Sequence, residues 1–388
     1  MPDLIHTAEA HQTDILTDVH DLVGIESHSY DKSGLDRGLA HIDTLVRKHL
    51  GEPGESIRSD GGALGDVLRL TYPGTGSGAV LVIAHYDTVW PTGTLAGWPV
   101  SSQTDAAGRS IETGPGIFDM KTGLVQGIWA LKLLRESGKA YPTVTFLFNG
   151  DEEIGSLVSR PIIEEAARAA DAVLVLEPTS DGAVKTGRKG VGIFKATATG
   201  VEAHAGLNPA DGASAIHALA AFVTAVSGIA DPDRGTTINV GLISGGSGTN
   251  VVAGTAVADI DIRIEDPAEM ARVDAAFDAV ESADPRVTIT VDHGWNRPPM
   301  SLTAPGERLL AVVQQSAADL GVELENVDVG GGSDANFVSA LGVPVLCGMG
   351  AVGHGAHARH EFIYPDAIPL YTAITAGTLA RLADGLAV

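Results

Sequence analysis

Four short, uninterrupted apolar runs constrain the fold of this chain more than any other feature. They are rich in β-branched residues and read AVLVIA (79–84), TVTFLF (143–148), AVLVL (172–176) and PVLCGMG (344–350). Runs of this kind are typical of parallel strands that are buried on both faces. Helical patterns separate them, for example 120–136 and 161–170. The alternation predicts an α/β domain with a doubly wound, mostly parallel sheet.

Apolar residues at helical spacing predict two helices at the start of the chain. The first pattern covers 15–23 and stops at Gly24, and the second covers 35–46 and stops at Gly51. We expect the six histidines before residue 50 to lie at the surface of these helices. The chain starts without a signal-peptide pattern, and its apolar runs are shorter than the ~20 residues of a spanning helix. We therefore expect a cytoplasmic protein with no membrane partner.

The middle of the chain has a different pattern, because its strands alternate polar and apolar residues as half-exposed strands do. From Gly190 to His293 the order of elements is strand, helix, strand, strand, helix, strand. This βαββαβ order predicts a small two-layer α+β sandwich. We interpret WNRPP (295–299) as a linker back to the first domain. The predicted organisation is a catalytic domain of 1–189 and 298–388, interrupted by an inserted domain of 190–297.

Charge and cysteine content exclude several classes of function. The chain has 25 Lys and Arg against 49 Asp and Glu, a net charge of −24. Such a surface repels phosphate polymers, which argues against nucleic acid as a partner. Cys347 is the one cysteine, so an intramolecular disulfide and a cysteine-cluster zinc site are excluded. Any metal must be bound by His, Asp or Glu.

Carboxylates and histidines follow each of the four apolar runs. In chain order they are His85 and Asp87, then Glu152 and Glu153, then Glu177, then His354, His357 and His360. In open α/β sheets ligands bind beyond the carboxyl ends of the strands, so these side chains can converge in one crevice. A further acid, Asp119, lies in the loop GPGIFDMKTG. Together these residues predict a metal centre.

The charges of this set suit two metal ions. Asp119, Glu153 and Glu177 carry three negative charges, which two divalent cations and one hydroxide neutralise with the neutral imidazoles of His85 and His357. Zinc suits such nitrogen and oxygen ligands. The loop residue Asp119 is our choice as the bridging ligand. Two further acids then have other roles: Asp87 can orient the imidazole of His85, and Glu152 is free to act as general base.

Seven segments together resemble the M20 family of dinuclear zinc peptidases, and within it the glutamate carboxypeptidases of the carboxypeptidase G2 type. They are AHYDTVW (84–90), GPGIFDMKTG (114–123), LFNGDEEIGS (147–156), LEPTSDG (176–182), AHAG (203–206), GGGSDA (330–335) and HARHEF (357–362). The resemblance implies that Asp119 bridges two metals, which His85 with Glu177 and Glu153 with His357 complete. It also implies Glu152 as the catalytic acid–base and Asp87 as the acid that supports His85. Of the three C-terminal histidines His357 fits, because Glu361 and Phe362 follow it.

The resemblance also implies roles in the inserted domain, as part of a homodimer. His204 corresponds to a histidine that reaches the neighbouring subunit's active site and stabilises the oxyanion. Asn250 and Arg263 correspond to residues that hold the substrate carboxylate. Arg297 corresponds to an arginine that reaches a glutamate side chain, and Gly332 to a glycine that lets substrate approach the backbone.

One segment departs from the family pattern. DGAVKTGRKG (181–190) is two residues shorter than in the carboxypeptidase G2 type. The lysine that contacts the glutamate side chain there has no clean counterpart. Lys185 and Arg188 are both candidates.

These inferences predict a zinc-dependent metallocarboxypeptidase that releases a C-terminal amino acid from N-acyl or peptidyl conjugates. Glutamate is favoured because of Arg297, and cobalt or manganese can replace zinc in such a site. An N-acyl-amino-acid deacylase or dipeptidase with the same centre is the first alternative. A catalytically silent metal-binding protein is the second, and the presence of Glu152 beside all five ligands argues against it.

Overall fold

The computed structural model describes residues 2–386, which form two compact units. The large unit comprises the described residues up to Gly187, Ser301–Val329 and those from Ser333 onward. The small unit comprises Arg188–Met300 and Gly330–Gly332.

The helices and strands of the two units are numbered in chain order. The helices are α1 (Pro2–Ala10), α2 (Gln12–Val23), α3 (Lys32–Leu50), α4 (Thr94–Gly97), α5 (Thr122–Glu136), α6 (Arg160–Arg168), α7 (Ala215–Ser227), α8 (Ala268–Asp278), α9 (Ala304–Ala318), α10 (Ala335–Ala340) and α11 (Ile368–Arg381). The strands are β1 (Glu55–Ser59), β2 (Val67–Tyr72), β3 (Ala79–His85), β4 (Ser101–Thr104), β5 (Ser110–Thr113), β6 (Thr143–Asn149), β7 (Ala172–Val175), β8 (Val184–Arg188), β9 (Gly190–Thr199), β10 (Thr237–Gly245), β11 (Thr255–Ile264), β12 (Thr288–Asp292), β13 (Trp295–Arg297), β14 (Asn326–Val329), β15 (Val345–Cys347), β16 (Gly353–His354) and β17 (Phe362–Ile363). Among the described residues, no helix is both long and apolar enough to cross a bilayer.

The large unit is built on an eight-stranded sheet of order β1-β2-β6-β3-β7-β15-β8-β14. Its four central strands, β6, β3, β7 and β15, are parallel. From β3 the chain passes to β6 on one side and then to β7 on the other, so the winding reverses at β3. Ligand crevices of open α/β sheets lie at such a reversal, beyond the carboxyl ends of the strands.

The central strands are buried on both faces, as their unbroken apolar runs predict. Val80 and Val82 belong to the main hydrophobic core of the large unit. Leu81 and Ile83 point to the opposite face, because side chains alternate along a strand, and they are equally buried. On one side α5 packs against α2, α3 and α11, and on the other α6 packs against α10. The predicted α/β class with a doubly wound sheet is confirmed.

Two details of the large unit differ from the sequence predictions. Three helices open the chain instead of two. The additional helix, α1, buries Leu4 and Ala8, and this single pair is too short to form a recognisable pattern in the sequence. Strand β15 ends at Cys347 rather than Gly350, since Gly348 adopts a left-handed φ of 76°.

A second, four-stranded sheet of order β16-β17-β5-β4 is antiparallel throughout. Its strands are two to four residues long, which is too short for an alternation pattern to predict. Phe362 lies opposite Thr113. This pairing holds the segment that precedes Gly114 beside the segment that follows His357.

The small unit has the predicted βαββαβ order, with a sheet of order β10-β11-β9-β12. Helices α7 and α8 contribute Phe222 and Phe277 to its core, where they pack with Phe194 of β9. The interpretation of 295–299 as a linker is wrong, because its first three residues form β13 and pair with β9. The Trp295 ring lies 5.1 Å from that of Phe194 and holds the segment on the sheet.

Candidate metal centre

Three neighbouring parallel strands deliver the predicted ligands to one edge of the large sheet. His85 is the last residue of β3 and pairs with Asn149, the last residue of β6. Glu152 and Glu153 lie in the turn directly after β6, and Glu177 lies two residues beyond β7. The ends of β6, β3 and β7 are adjacent, so side chains that are distant in sequence meet here.

Two histidine–carboxylate clusters share Asp119. His85 Nε2 lies 3.2 Å from Asp119 Oδ1 and 3.7 Å from Glu177 Oε1. His357 Nε2 lies 3.0 Å from Glu153 Oε2 and 3.5 Å from Asp119 Oδ2. Asp119 therefore directs one oxygen to each histidine, which is the arrangement that a bridging carboxylate needs. Of the predicted ligands, His357 is half exposed, so the clusters have a side open to substrate.

Proximity also places Glu152 in the site. Potential ligand atoms of His85, Glu152 and Glu177 lie within 4.8 Å of one another, as do those of His85, Asp119 and Glu153. Geometry alone allows Glu152 to be a metal ligand or an acid–base group beside the ligands.

The charged groups shift each other's protonation. Burial opposes charge on Asp119, but hydrogen bonds with His357 and His85 hold its pKa well below its ordinary value. Hydrogen bonds to Asp119 and Glu153 raise the pKa of His357 to about 11. Burial raises the pKa of Glu153 to about 7. Without cations the raised pKa values let Glu153 and His357 keep protons near neutral pH. Because metal binding displaces those protons, the affinity for metal should rise with pH.

Asp87 is a fully buried acid that organises the site without contacting its open side. Its Oδ1 lies 3.4 Å from His85 Nδ1 and accepts a hydrogen bond from Glu152 N at 3.2 Å. Its Oδ2 accepts bonds from Glu153 N at 3.2 Å and from Ser29 Oγ at 2.7 Å. Asp87 thus fixes the orientation of one imidazole together with the turn that carries both glutamates.

The loop of Asp119 and the turn of Glu152 are each held by another buried acid. Glu361 accepts backbone N–H bonds from the Asp119 loop. Asp334 accepts bonds from Asn149 Nδ2 at 2.8 Å and from Ser156 Oγ, on either side of the glutamate turn. The predicted ligands on these two segments therefore lie on hydrogen-bonded supports rather than on free loops.

The donor set fits a pair of divalent cations. Three carboxylates and two imidazoles supply the nitrogen and oxygen ligands that zinc accepts. Glu153 Oε1 is buried and has no hydrogen-bond partner among the described residues. An unpaired buried carboxylate oxygen is costly, and a cation would satisfy it.

Known proteins with the same architecture identify the family. Residues 81–381 match the profile of peptidase family M20/M25/M40. Carboxypeptidase G2 of Pseudomonas sp. strain RS-16 is 31% identical to this chain, and the alignment covers 98% of this chain and 92% of that protein. The chain belongs to the M20 family. The predicted family and the prediction of a hydrolytic metallopeptidase are confirmed.

Two further similarities show how widely this M20 architecture is used. Succinyl-diaminopimelate desuccinylase of Polaromonas sp. is 28% identical, with 78% of this chain and 74% of that protein covered. The crystal structure of aminopeptidase PepT from Bacillus cereus has the same fold, with a TM-score of 0.76, 22% identity, and coverage of 96% and 99%.

In the small unit of this M20 protein, His204 and Asn250 lie at one end of the sheet. His204 forms a β-bridge with Val251, and Ala205 N donates to Asn250 O at 2.9 Å. Both side chains are exposed. His204 Nδ1 accepts bonds from the backbone N–H groups of Gly206 at 3.1 Å and its neighbour at 3.0 Å. This network assigns the proton of the neutral ring to Nε2, which leaves an N–H donor on an exposed side chain.

The other predicted substrate-binding residues lie at the opposite end of the same sheet. Arg263 of β11 and Arg297 of β13 both pair with Val191 of β9, so the three side chains share one face. Gly332 packs there too, since a Cβ on it would lie 2.8 Å from Arg297 Cδ. From Arg263 to Thr255, at the His204 end, β11 extends roughly 25 Å.

The arginines differ in their partners. Arg263 donates to both oxygens of Asp261, at 2.9 and 2.7 Å, so its guanidinium already forms a bidentate ion pair. Arg188 Nη1 donates to the carbonyls of Gly331 and Gly332 at 2.8 and 2.9 Å. Of the two candidates in the shortened segment, Arg188 thus joins the group around Gly332. Lys185 belongs to the large unit, where it pairs with Cys347.

Sequence reasoning missed three residues that hold the site. Ser29 lies outside every motif, and only its bond to Asp87 reveals its role. Trp90 and Asp334 lie inside segments that resemble the family, but nothing in their spacing indicates what they contact. The sequence signal for Trp90 and Asp334 is their position within these segments, and nothing more.

Proposed function

We propose that this M20 enzyme is a two-zinc metallocarboxypeptidase that releases a C-terminal amino acid, preferentially glutamate, from N-acyl or peptidyl conjugates. The observation that carries the proposal is the division of the Asp119 carboxylate between two histidines. His85 and His357 each have a second carboxylate beside them, from Glu177 and Glu153.

The five ligands would hold two cations. Asp119 would bridge them, His85 and Glu177 would complete one site, and Glu153 and His357 the other. When bound, divalent cations polarise the scissile carbonyl and lower the pKa of water. Cobalt or manganese would serve the same ligand set.

Glu152 is the residue that moves the proton. It takes a proton from water as the water oxygen attacks the carbonyl carbon, and it delivers that proton to the amide nitrogen as the carbon–nitrogen bond breaks. Asp87 supports this step, because it binds the backbone N–H of Glu152 and the imidazole of His85. The products are a carboxylic acid and a free amino acid.

The oxyanion is stabilised by His204 of the partner subunit. Its Nε2–H is an exposed donor, as oxyanion stabilisation requires. The separation of roughly 25 Å along the sheet keeps His204 and Arg297 from binding one small substrate within a single chain. A homodimer resolves this, and the edge strand β10 offers it an apolar surface, since Leu242 is 68% and Ile243 58% exposed.

The end of the small sheet that carries Arg263 and Arg297 is the basis for the proposed substrate class. Arg263 and Arg297 flank β9 at the same register, two strand spacings or roughly 10 Å apart. Two guanidinium groups suit the two carboxylates of glutamate, with Arg297 and Gly332 at its side chain and Arg263 at its α-carboxylate. Asn250 would reach that α-carboxylate from the partner subunit, because within one chain it lies at the His204 end of the sheet. Recognition of a free α-carboxylate makes the enzyme an exopeptidase, in agreement with the activity named for the carboxypeptidase G2 relative.

An N-acyl-amino-acid deacylase with a different pocket is the second candidate. The succinyl-diaminopimelate desuccinylase relative favours it, and Arg188 beside Gly332 provides another cation for an acidic acyl group. The two candidates share the metal centre and differ in which part of the substrate the arginines bind.

A substrate panel tests the proposal. Release of amino acid from N-acyl-glutamate is compared with release from N-acyl-aspartate, -leucine and -glycine, before and after chelation. We expect chelator-sensitive release with glutamate preferred. Arg297→Gln should reduce that preference by roughly 10–100-fold, because one lost charged hydrogen-bond pair costs about 1.5–3 kcal/mol.

Arg286→Gln is the matched control, since Arg286 is an exposed arginine of the small unit paired with Asp284. It should leave the order of substrates unchanged. A chelator-sensitive enzyme that prefers another amino acid would favour the deacylase candidate. Activity that survives complete removal of metal would contradict both.

A further inference from the structure

Glu361 is a fully buried carboxylate that the proposed chemistry does not use. Its Oε1 accepts hydrogen bonds from Phe118 N at 2.8 Å and Asp119 N at 3.1 Å. Its Oε2 accepts bonds from Gly116 N at 3.1 Å and Trp90 Nε1 at 2.9 Å. Four N–H donors thus converge on one side chain.

The Asp119 loop needs such an acceptor. Residues 117–121 form an irregular turn before α5, in which Asp119 has non-helical backbone angles; Gly116, the residue before this turn, has a left-handed φ of 74°. The irregular path turns the N–H groups of Gly116, Phe118 and Asp119 away from any backbone ladder. Buried N–H groups require partners, and the Glu361 carboxylate supplies them for all three.

The same residue is tied to the segment that carries His357. Glu361 lies four positions after His357, and its backbone N donates to Ala358 O at 2.9 Å. Its backbone O accepts from Thr113 Oγ1 at 2.7 Å. One residue therefore links the loop of the bridging acid to the loop of the histidine that contacts it at 3.5 Å.

We propose that Glu361 is a positioning residue for the metal centre, which sets the separation of Asp119 and His357 before any cation binds. This inference rests on the two-cation centre of the proposed function. A carboxylate suits the role, because its two oxygens only accept hydrogen bonds and can receive all four donors. Glutamine would present an NH2 group to two of those donors, and aspartate is one methylene too short.

The test compares Zn2+ affinity in Glu361→Gln and wild type. Full-length apoprotein is titrated with Zn2+ against a chromophoric chelator, and kcat and KM are measured on the reloaded enzymes. Loss of a residue that orients metal ligands lowers metal affinity by roughly 10–100-fold. We expect a loss of that size in E361Q, with a lower kcat and little change in KM.

Glu269→Gln is the matched control for loss of a buried glutamate. Glu269 of the small unit is 3% exposed and is bound by Arg272 and Thr236. This variant should bind Zn2+ as wild type does. Wild-type Zn2+ affinity in a folded E361Q protein overturns the inference alone, whereas a wild-type protein that binds no Zn2+ overturns the proposed centre as well.

Two measurements decide the matter if E361Q fails to fold. Trp90→Phe removes one of the four donors and should weaken Zn2+ binding by a few-fold, and unchanged affinity counts against the inference. Amide exchange in the wild-type protein should be slow at Gly116, Phe118 and Asp119, because their N–H groups are bonded to a buried acceptor. Fast exchange at these amides overturns it.

Discussion

The two regions that carry the predicted site residues are built in opposite ways. In the crevice of the large unit, the segments that carry the predicted metal ligands are held by three buried acids, Asp87, Asp334 and Glu361. At the His204 end of the small sheet, His204 and Asn250 are exposed to solvent. The polar groups of the crevice are therefore supported by buried side chains, whereas those at the His204 end are not buried.

This difference separates two kinds of functional residue. Metal ligands and a proton carrier must be held before substrate arrives, since rigidity lowers the cost of reaching the reactive geometry. Groups that act on a neighbouring subunit gain their surroundings only on assembly. The comparison predicts that substitutions in the crevice act within a chain and that substitutions at the His204 end of the small sheet act between chains.

The largest expected effect is that of Glu152→Gln. The variant keeps the shape of the side chain and removes the proton acceptor, so kcat should fall by roughly 10²–10⁴-fold. Metal content measured on the purified protein should stay at the wild-type level. Loss of one metal equivalent would instead make Glu152 a ligand, which its proximity to His85 and Glu177 allows.

Glu164→Gln is the control for this experiment. Glu164 lies on α6, where it pairs with Arg160 and Arg168. It should leave kcat unchanged. An active E152Q enzyme would contradict the proposal, because Glu152 would then not be the proton carrier of the crevice.

A smaller effect comes from mixing two inactive variants. If His204 acts across a dimer, E152Q and His204→Ala subunits should complement each other. In a heterodimer one site has Glu152 together with the partner subunit's His204, so random exchange of subunits should restore about a quarter of wild-type activity. The readout is activity after unfolding and refolding the mixture, against each variant refolded alone.

The opposite result is equally informative. The activity of each variant refolded alone is the background. If the E152Q and H204A mixture stays at that background while native mass spectrometry shows heterodimers, His204 serves its own chain or none.

The sequence could predict that the acids and histidines of the crevice lie together, because burial and charge conflict there. Acids directly after fully apolar strands, such as Glu153 and Glu177, are informative since burying them is costly without a purpose. The choice of His357 over His354 and His360 needed the family resemblance, because no strand pattern reaches that loop. The roles of Asp334 and Glu361 depend on contacts between segments more than 100 residues apart, which periodicity does not encode.

Two side-chain contacts show how far the sequence alone could reveal such pairs. Asp261 and Arg263 are two residues apart on one strand and so share a face, which made their ion pair foreseeable. The expectation of surface histidines before residue 50 is wrong for His49, which is 7% exposed. Its partner Asp18 is 31 residues away, and only packing of α2 on α3 brings the two together.

Substitution of Asp18 should give the smallest effect. Asp18 also provides a contrast with the buried acids of the metal centre, which lie in the same unit. Its carboxylate accepts bonds from His49 Nε2 at 2.7 Å, Lys48 Nζ at 2.9 Å and Trp129 Nε1 at 2.9 Å. Burial alone would raise its pKa, but these bonds lower the pKa of Asp18 to about 2 from 3.8. Asp18 is far from the predicted metal ligands in sequence, and none of its three hydrogen-bond partners is one of them. We therefore expect Asp18 to contribute to stability rather than to catalysis.

The sign of its pH dependence follows from the lowered pKa. An acid with a lower pKa in the folded state stabilises above its unfolded pKa, and this contribution disappears as pH falls from about 4 to about 2. Asp18→Asn should therefore lower the free energy of unfolding by about 2 kcal/mol at pH 7, and the difference from wild type should shrink toward pH 3. Urea unfolding at several pH values measures this, with Zn2+ affinity and kcat unchanged.

Asp21→Asn is the control, because Asp21 is an exposed residue of the same helix and should change stability by less than about 0.5 kcal/mol. A D18N deficit that stays constant from pH 7 to pH 3 would assign the loss to packing instead of charge. A D18N enzyme with weakened Zn2+ binding would break the comparison, since buried charge outside the crevice would then also hold the metal centre.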